Sequence, residues 1–141
     1  MGKIVYAIHP DLKCVHFKGT GDISYPYLME NIMRVSSDPE FDFSYNTFVD
    51  FEDALVSARA GGLEEYHEFF QTLQSRSGRI RWAIYSRNKE TLQNANMAHL
   101  PLTANIAVDV FDVKADALAY LGIEESQLDR IARWHPFAAN T

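Results

Sequence analysis

Sulfur, positive charge and long apolar runs are all scarce in this chain. One cysteine, Cys14, among 141 residues leaves no partner for an internal disulfide. It falls inside a predicted strand, and a reducing cytoplasm is the expected setting. No uninterrupted apolar run approaches the roughly 20 residues of a membrane span, so none is expected. The opening MGKIVYAIHP lacks the apolar core and small-residue cleavage site of a signal peptide. Gly2 is no myristoylation signal either, because Val5 and Tyr6 stand where Ser or Thr is needed. Thirteen Lys and Arg against 19 Asp and Glu give a net charge of −6. That argues against a nucleic-acid partner, since neutralising phosphates takes clustered cations. The five histidines (His9, His16, His67, His99, His135) contain no His-x-x-x-His pair, and no metal or other cofactor is expected. Internal repeats, linkers and low-complexity tracts are lacking as well, which leaves one domain over residues 1–141.

What the chain does have is the composition of a folded domain, 47% hydrophobic and 23% charged, at a length that can bury a core. The organising stretch is YNTFVDFED, residues 45–53. Thr47, Phe48, Val49 and Phe51 read as a buried central strand, and Asp50, Glu52 and Asp53 read as its end opening onto a loop.

Around it the pattern alternates. Residues 3–9 and 13–18 have period-2 alternation about a Pro10-Asp11 turn and predict an antiparallel hairpin, ended by Gly19-Thr20-Gly21. Ser24 as N-cap and Pro26 in the first turn predict a helix carrying Leu28, Ile32 and Val35, stopped before Pro39. After the central strand, residues 54–62 read as a small-residue connection. A helix then follows from Leu63, with Tyr66, Phe69, Phe70 and Leu73 as its stripe and Gly78 as its stop. Residues 79–85 predict a strand, 88–99 a weakly amphipathic helix, and 105–111 a last strand. Asp112 is expected to cap a helix that points Val113, Ala117, Tyr120 and Leu121 inward and ends at Gly122. A final helix over 124–133 and a tail are added from about residue 123. The fold class is α/β, a single-layer mixed sheet with an N-terminal antiparallel hairpin and then parallel strands, covered by helices.

Three stretches, in their order and spacing, carry a resemblance: VHFKGTGDIS, DPEFDFSYNTFVDFED and VFDVKADALAYLGI. Over roughly residues 3–122 the chain resembles the STAS domain, and more closely the small bacterial proteins grouped as SpoIIAA-like or STAS/SEC14-like. The resemblance implies a regulatory module that meets a protein partner at the loop and helix after the central strand. Its SEC14 side implies, as an alternative, a carrier or sensor of a small apolar or lipid-like ligand. Phosphorylatable members carry an Asp-Ser-x-Gly-like acceptor in that loop. Here the region reads ALVSARAGGL, with Ser57 a few residues early and Arg59 and Ala60 in its place. The acceptor is absent.

The candidate binding residues are therefore Asp50, Glu52, Asp53, Ser57, Arg59, Gly61 and Gly62. The three acids can bind a metal or work as acid and base, but acids at a strand end more commonly cap a loop or helix. His16 beside Cys14 has the composition of an activated thiol, yet nothing in sequence orients the pair. An enzyme using the acids around Asp50 with His16 or His67 is the weakest reading, and no catalytic residue is assigned. Arg79, Arg81 and Arg87, near Arg76 and Lys89, form either an anion patch or the solvated flank of a buried strand. Tyr25, Tyr27, Phe41, Phe43 and Tyr45 near loops, with Trp134 and Phe137 in the tail, predict self-association, most simply as a homodimer.

Overall fold

The computed structural model describes residues 2–57, 61–76, 79–99, 106–129 and 135–136. The alternation at the N-terminus builds strands β1 (Lys3–His9) and β2 (Cys14–Ser24), paired antiparallel from Lys3 opposite Thr20 to His9 opposite Cys14. The Leu12 amide donates to the His9 carbonyl to close the turn, and Lys13 takes a positive φ of 51°. Helix α1 (Tyr25–Ser36) follows directly, with Ser24 Oγ accepting from the Tyr27 amide and Pro26 in the first turn. Next come strand β3 (Asn46–Ser57), helix α2 (Leu63–Arg76), strand β4 (Ile80–Tyr85) and helix α3 (Lys89–His99). Strand β5 (Ile106–Phe111), helices α4 (Lys114–Leu121) and α5 (Glu125–Asp129) and the two-residue strand β6 (His135–Pro136) complete the described elements.

The sheet order is β5-β4-β3-β2-β1-β6. β2, β3, β4 and β5 are mutually parallel, and β1 is antiparallel to both β2 and β6. Because the successive crossovers all step the same way across the sheet, a constant hand puts α1, α2 and α3 on one face. Leu28, Ile32, Val35, Tyr66, Phe70 and Ala95 from these helices pack there on Ile4, Phe17, Val49, Phe51, Trp82 and Ile84. Each large side chain buried in this way stabilises by about 1.5–3 kcal/mol. α4 and α5 cover the opposite face, where Ala117, Leu118, Leu121 and Leu128 meet Cys14, Phe48, Ala83 and Tyr85.

Several expectations change. β2 does not end at Gly19-Thr20-Gly21 but runs on to Ser24, and β3 does not end at Asp53 but runs on to Ser57. The reason is a bulge: Lys18 lies opposite Asp50, whereas Thr20 lies opposite Asp53, so β3 holds one extra residue. Its helix-facing positions are Thr47, Val49 and Phe51 before the bulge and Ala54 and Val56 after it. The change of phase looks in sequence like the end of a strand. Gly19 makes room at this point, since a Cβ there would lie 2.7 Å from both Phe51 Cε1 and Ile23 Cδ1.

At α4 the N-cap is Val113, not Asp112, with no side-chain capping bond. Val113 is 48% exposed and does not point inward. Gly122 does end this helix, in the left-handed conformation with φ 73°. α5 is described over Glu125–Asp129, and residues 130–133 of the helix expected over 124–133 lie outside the described residues. Tyr25 is buried, and Tyr27, Phe41, Phe43 and Tyr45 pack against the core, so these five form no exposed aromatic surface. Trp134, Phe137, Arg59 and Gly78 lie outside the described residues. No helix among the described residues is long and apolar enough to cross a membrane.

Candidate functional site

Beyond Tyr85 the paired ends of β2 and β3 project past β4, since the β3–β4 pairing stops at Asp50 opposite Tyr85. This two-stranded arm leaves its β4-side edge without a neighbouring strand, and buried main-chain groups there need partners. Side chains on and just before α3 supply them. Ser86 Oγ donates to the Phe51 carbonyl at 2.9 Å, and Thr91 Oγ1 donates to the Ala54 carbonyl at 3.1 Å. Thr91 Oγ1 also accepts from the Val56 amide at 3.0 Å, and Asn94 Nδ2 donates to the Val56 carbonyl at 2.9 Å. The α3 start is itself fixed by Asn88, whose Oδ1 accepts from the Thr91 amide, while the Asn88 amide donates to Ser86 Oγ.

The arm and the turn into α3 bound an open concavity of about 490 Å³, lined by Gly21, Asp22, Glu52, Asp53, Ala54, Leu55, Arg87 and Asn88. It sits beyond the carboxyl ends of the parallel strands, where open α/β sheets generally bind ligands. Gly21, with φ 73°, lets β2 turn along its wall. Glu52 is half-buried, and Tyr85 Oη donates to its Oε1 at 2.7 Å. Burial first, and then this carboxylate, push the Tyr85 hydroxyl up to about 12, so it stays a donor. Asp53 and Asp22 are exposed, as is Arg87.

The expected site residues are therefore only partly assembled. Glu52, Asp53 and Arg87 meet in the concavity. Asp50 stands apart: it is buried, and its Oδ2 lies 3.4 Å from Lys114 Nζ, which also pairs with Glu125 at 2.8 Å. Asp50 Oδ1 accepts from the Glu52 amide, which stiffens the bulge. Ser57 is the last residue of β3, opposite Ser24, and thus belongs to the strand, not to a loop. Gly61 and Gly62 precede α2 with φ of 77° and 89°. The arginines do not form one patch. Arg79 and Arg81 lie at the start of β4 and Arg87 beyond its end, and Arg81 stacks on Tyr120 and donates to its carbonyl at 2.8 Å.

Cys14 and His16 are buried together on the α4–α5 face. Burial pushes the thiol up to about 12 and the imidazole down to about 3. A thiol so raised and an imidazole so lowered do not make a nucleophile and base near neutral pH. His67 lies on α2 within 3.1 Å of Gln71, away from both. Among the described residues no three His, Cys, Asp or Glu side chains form a metal-ligating group. Gly21, Asp22 and Asn88, and the supporting Ser86, Thr91 and Asn94, were not anticipated. Their sequence signal is slight: Ser86-x-Asn88 followed at helical spacing by Thr91 and Asn94.

No known protein family, curated protein or solved structure matches the chain.

Proposed function

We propose that this chain is a non-enzymatic binding and regulatory module that docks a protein partner on the concavity at the carboxyl end of its sheet. The observation that carries this reading is the shape and lining of that concavity. About 490 Å³ of open space is bordered by Asp22, Glu52, Asp53, Arg87 and Asn88, which suits a surface loop of a partner better than an enclosed reactant. The STAS-like reading of the sheet and helices belongs to the same proposal, as does action without a phosphoacceptor serine at the start of α2. A cytoplasmic setting and self-association complete it.

The apolar-ligand alternative asks for an enclosed pocket of about 300–1,000 Å³. The apolar cavity under α1, α2 and α3, between Tyr25, Phe51, Tyr66, Ile84 and Ala95, is about 20 Å³. Interaction at the arm is the reading that the geometry favours.

The test is affinity capture from the host lysate with the wild-type chain, a D22K/D53K variant and an E68K control on the exposed face of α2. Loss of the captured proteins from D22K/D53K alone is expected. An identical set from all three would overturn the arm as the docking surface. Native mass spectrometry of the same samples reads self-association, and an organic-extractable adduct would instead revive the carrier.

A further inference from the structure

Two small cavities flank the helix-covered face of the sheet. The one of about 20 Å³ is lined by apolar side chains, by Tyr25 and Tyr66, and by Thr91, whose hydroxyl is already engaged with Ala54 and Val56. The other, about 10 Å³, lies between the end of α1 and the starts of β3 and β4. Val15, Phe17, Ile32, Val35 and Phe41 line it together with three polar residues, Ser36, Thr47 and Trp82.

Trp82 is 5% exposed, and its indole Nε1 is buried with no hydrogen-bond acceptor. A buried donor left unmade costs about 1–3 kcal/mol, so native interiors rarely tolerate one beside usable space. Ser36 Oγ donates to the Ile32 carbonyl at 2.8 Å, which leaves its lone pairs able to accept. The Thr47 hydroxyl, on a buried residue, can give or take. A site for one water needs about 10–15 Å³ and two to four polar partners.

We propose that this cavity is a binding site for a single internal water, which accepts from Trp82 Nε1 and donates to the hydroxyls of Thr47 and Ser36. The water ties the last turn of α1 to the first residues of β3 and β4.

The experiment is NMR on the intact, 15N-labelled chain, with Trp134→Phe used to assign the Trp82 indole resonance, paired with a high-resolution crystal structure. A cross-peak from a long-lived water to the Trp82 indole proton is expected, with solvent density within hydrogen-bond distance of Nε1. Thr47→Val keeps the shape but removes one partner, and should abolish or greatly weaken the cross-peak. Should that variant unfold, Ser36→Ala serves the same purpose. A dry cavity in the crystal with no cross-peak in the wild type would overturn the proposal, as would a cross-peak that both variants leave intact.

Discussion

Thr91 and Val56 are joined by a hydrogen bond that does the work of a strand. The Val56 amide donates to Thr91 Oγ1 at 3.0 Å while the same hydroxyl donates to the Ala54 carbonyl. One helical side chain thereby pairs two main-chain groups on an edge that β4 is too short to reach. Thr91→Val should leave both groups buried and unpaired, at a cost of about 2–4 kcal/mol in all. Chemical denaturation would show it, and faster exchange of the Val56 amide would locate it. Thr91→Ser should behave almost as wild type.

The two glycines before α2 should respond unequally. Gly61 and Gly62 both have positive φ, so alanine at either is strained by about 1–2 kcal/mol. A Cβ on Gly61 meets nothing within 4 Å, whereas one on Gly62 would lie 2.6 Å from Pro26 Cδ, a rigid ring. Gly62→Ala should therefore lower the melting temperature clearly more than Gly61→Ala. Equal shifts would show that the contact with Pro26 relaxes freely.

Acid should loosen the α4–α5 face through His16. Burial, with His9, Lys114 and Lys18 nearby, lowers its pKa from 6.5 to about 3. The folded state thus holds fewer protons on His16 than the unfolded state does at any pH between these values. Its contribution to stability is complete above pH 6.5 and is lost as the pH falls towards 3, at up to about 1.4 kcal/mol per pH unit. Denaturant titrations at pH 7 and about pH 5 should show a shallower pH dependence for His16→Phe than for wild type. Parallel slopes would mean that His16 titrates normally.

The Lys114 bridge should couple strand to helix. Asp50 is 5% exposed, and Lys114 is the cation beside it. Removing the charge in Lys114→Met leaves a buried carboxylate with its cation gone. A loss of about 1–2 kcal/mol is expected, since the lysine is itself partly exposed. Asp50→Asn in the same background should cost less than the two single changes summed, as a double-mutant cycle would show.

Much of the architecture could be read from local chemistry. The alternation in residues 3–9 and 80–85, the Ser24 cap with Pro26, and the stop at Gly122 each act within a few residues of chain. The site was legible only in part. The acids of residues 50–53 drew attention to the right strand, but Asp50 pairs with Lys114, whereas Glu52 and Asp53 line the concavity with Asp22 and Arg87. The arginines of residues 79–87 were close in sequence yet divided between the two ends of β4, because an extended strand separates residues eight apart by about 25 Å.

By itself, then, the sequence determined the order and type of its main elements, because alternation, caps and breakers act over single turns and short strands. Tertiary structure alone decided that β3 continues past three acids. The bulge that shifts its phase exists only when Gly19 of β2 lies beside it, and its unpaired edge is tolerable only when Thr91 and Asn94 arrive from about 35 residues away. Pairing between distant segments follows from where the crossovers deliver them, and no window of sequence contains that information.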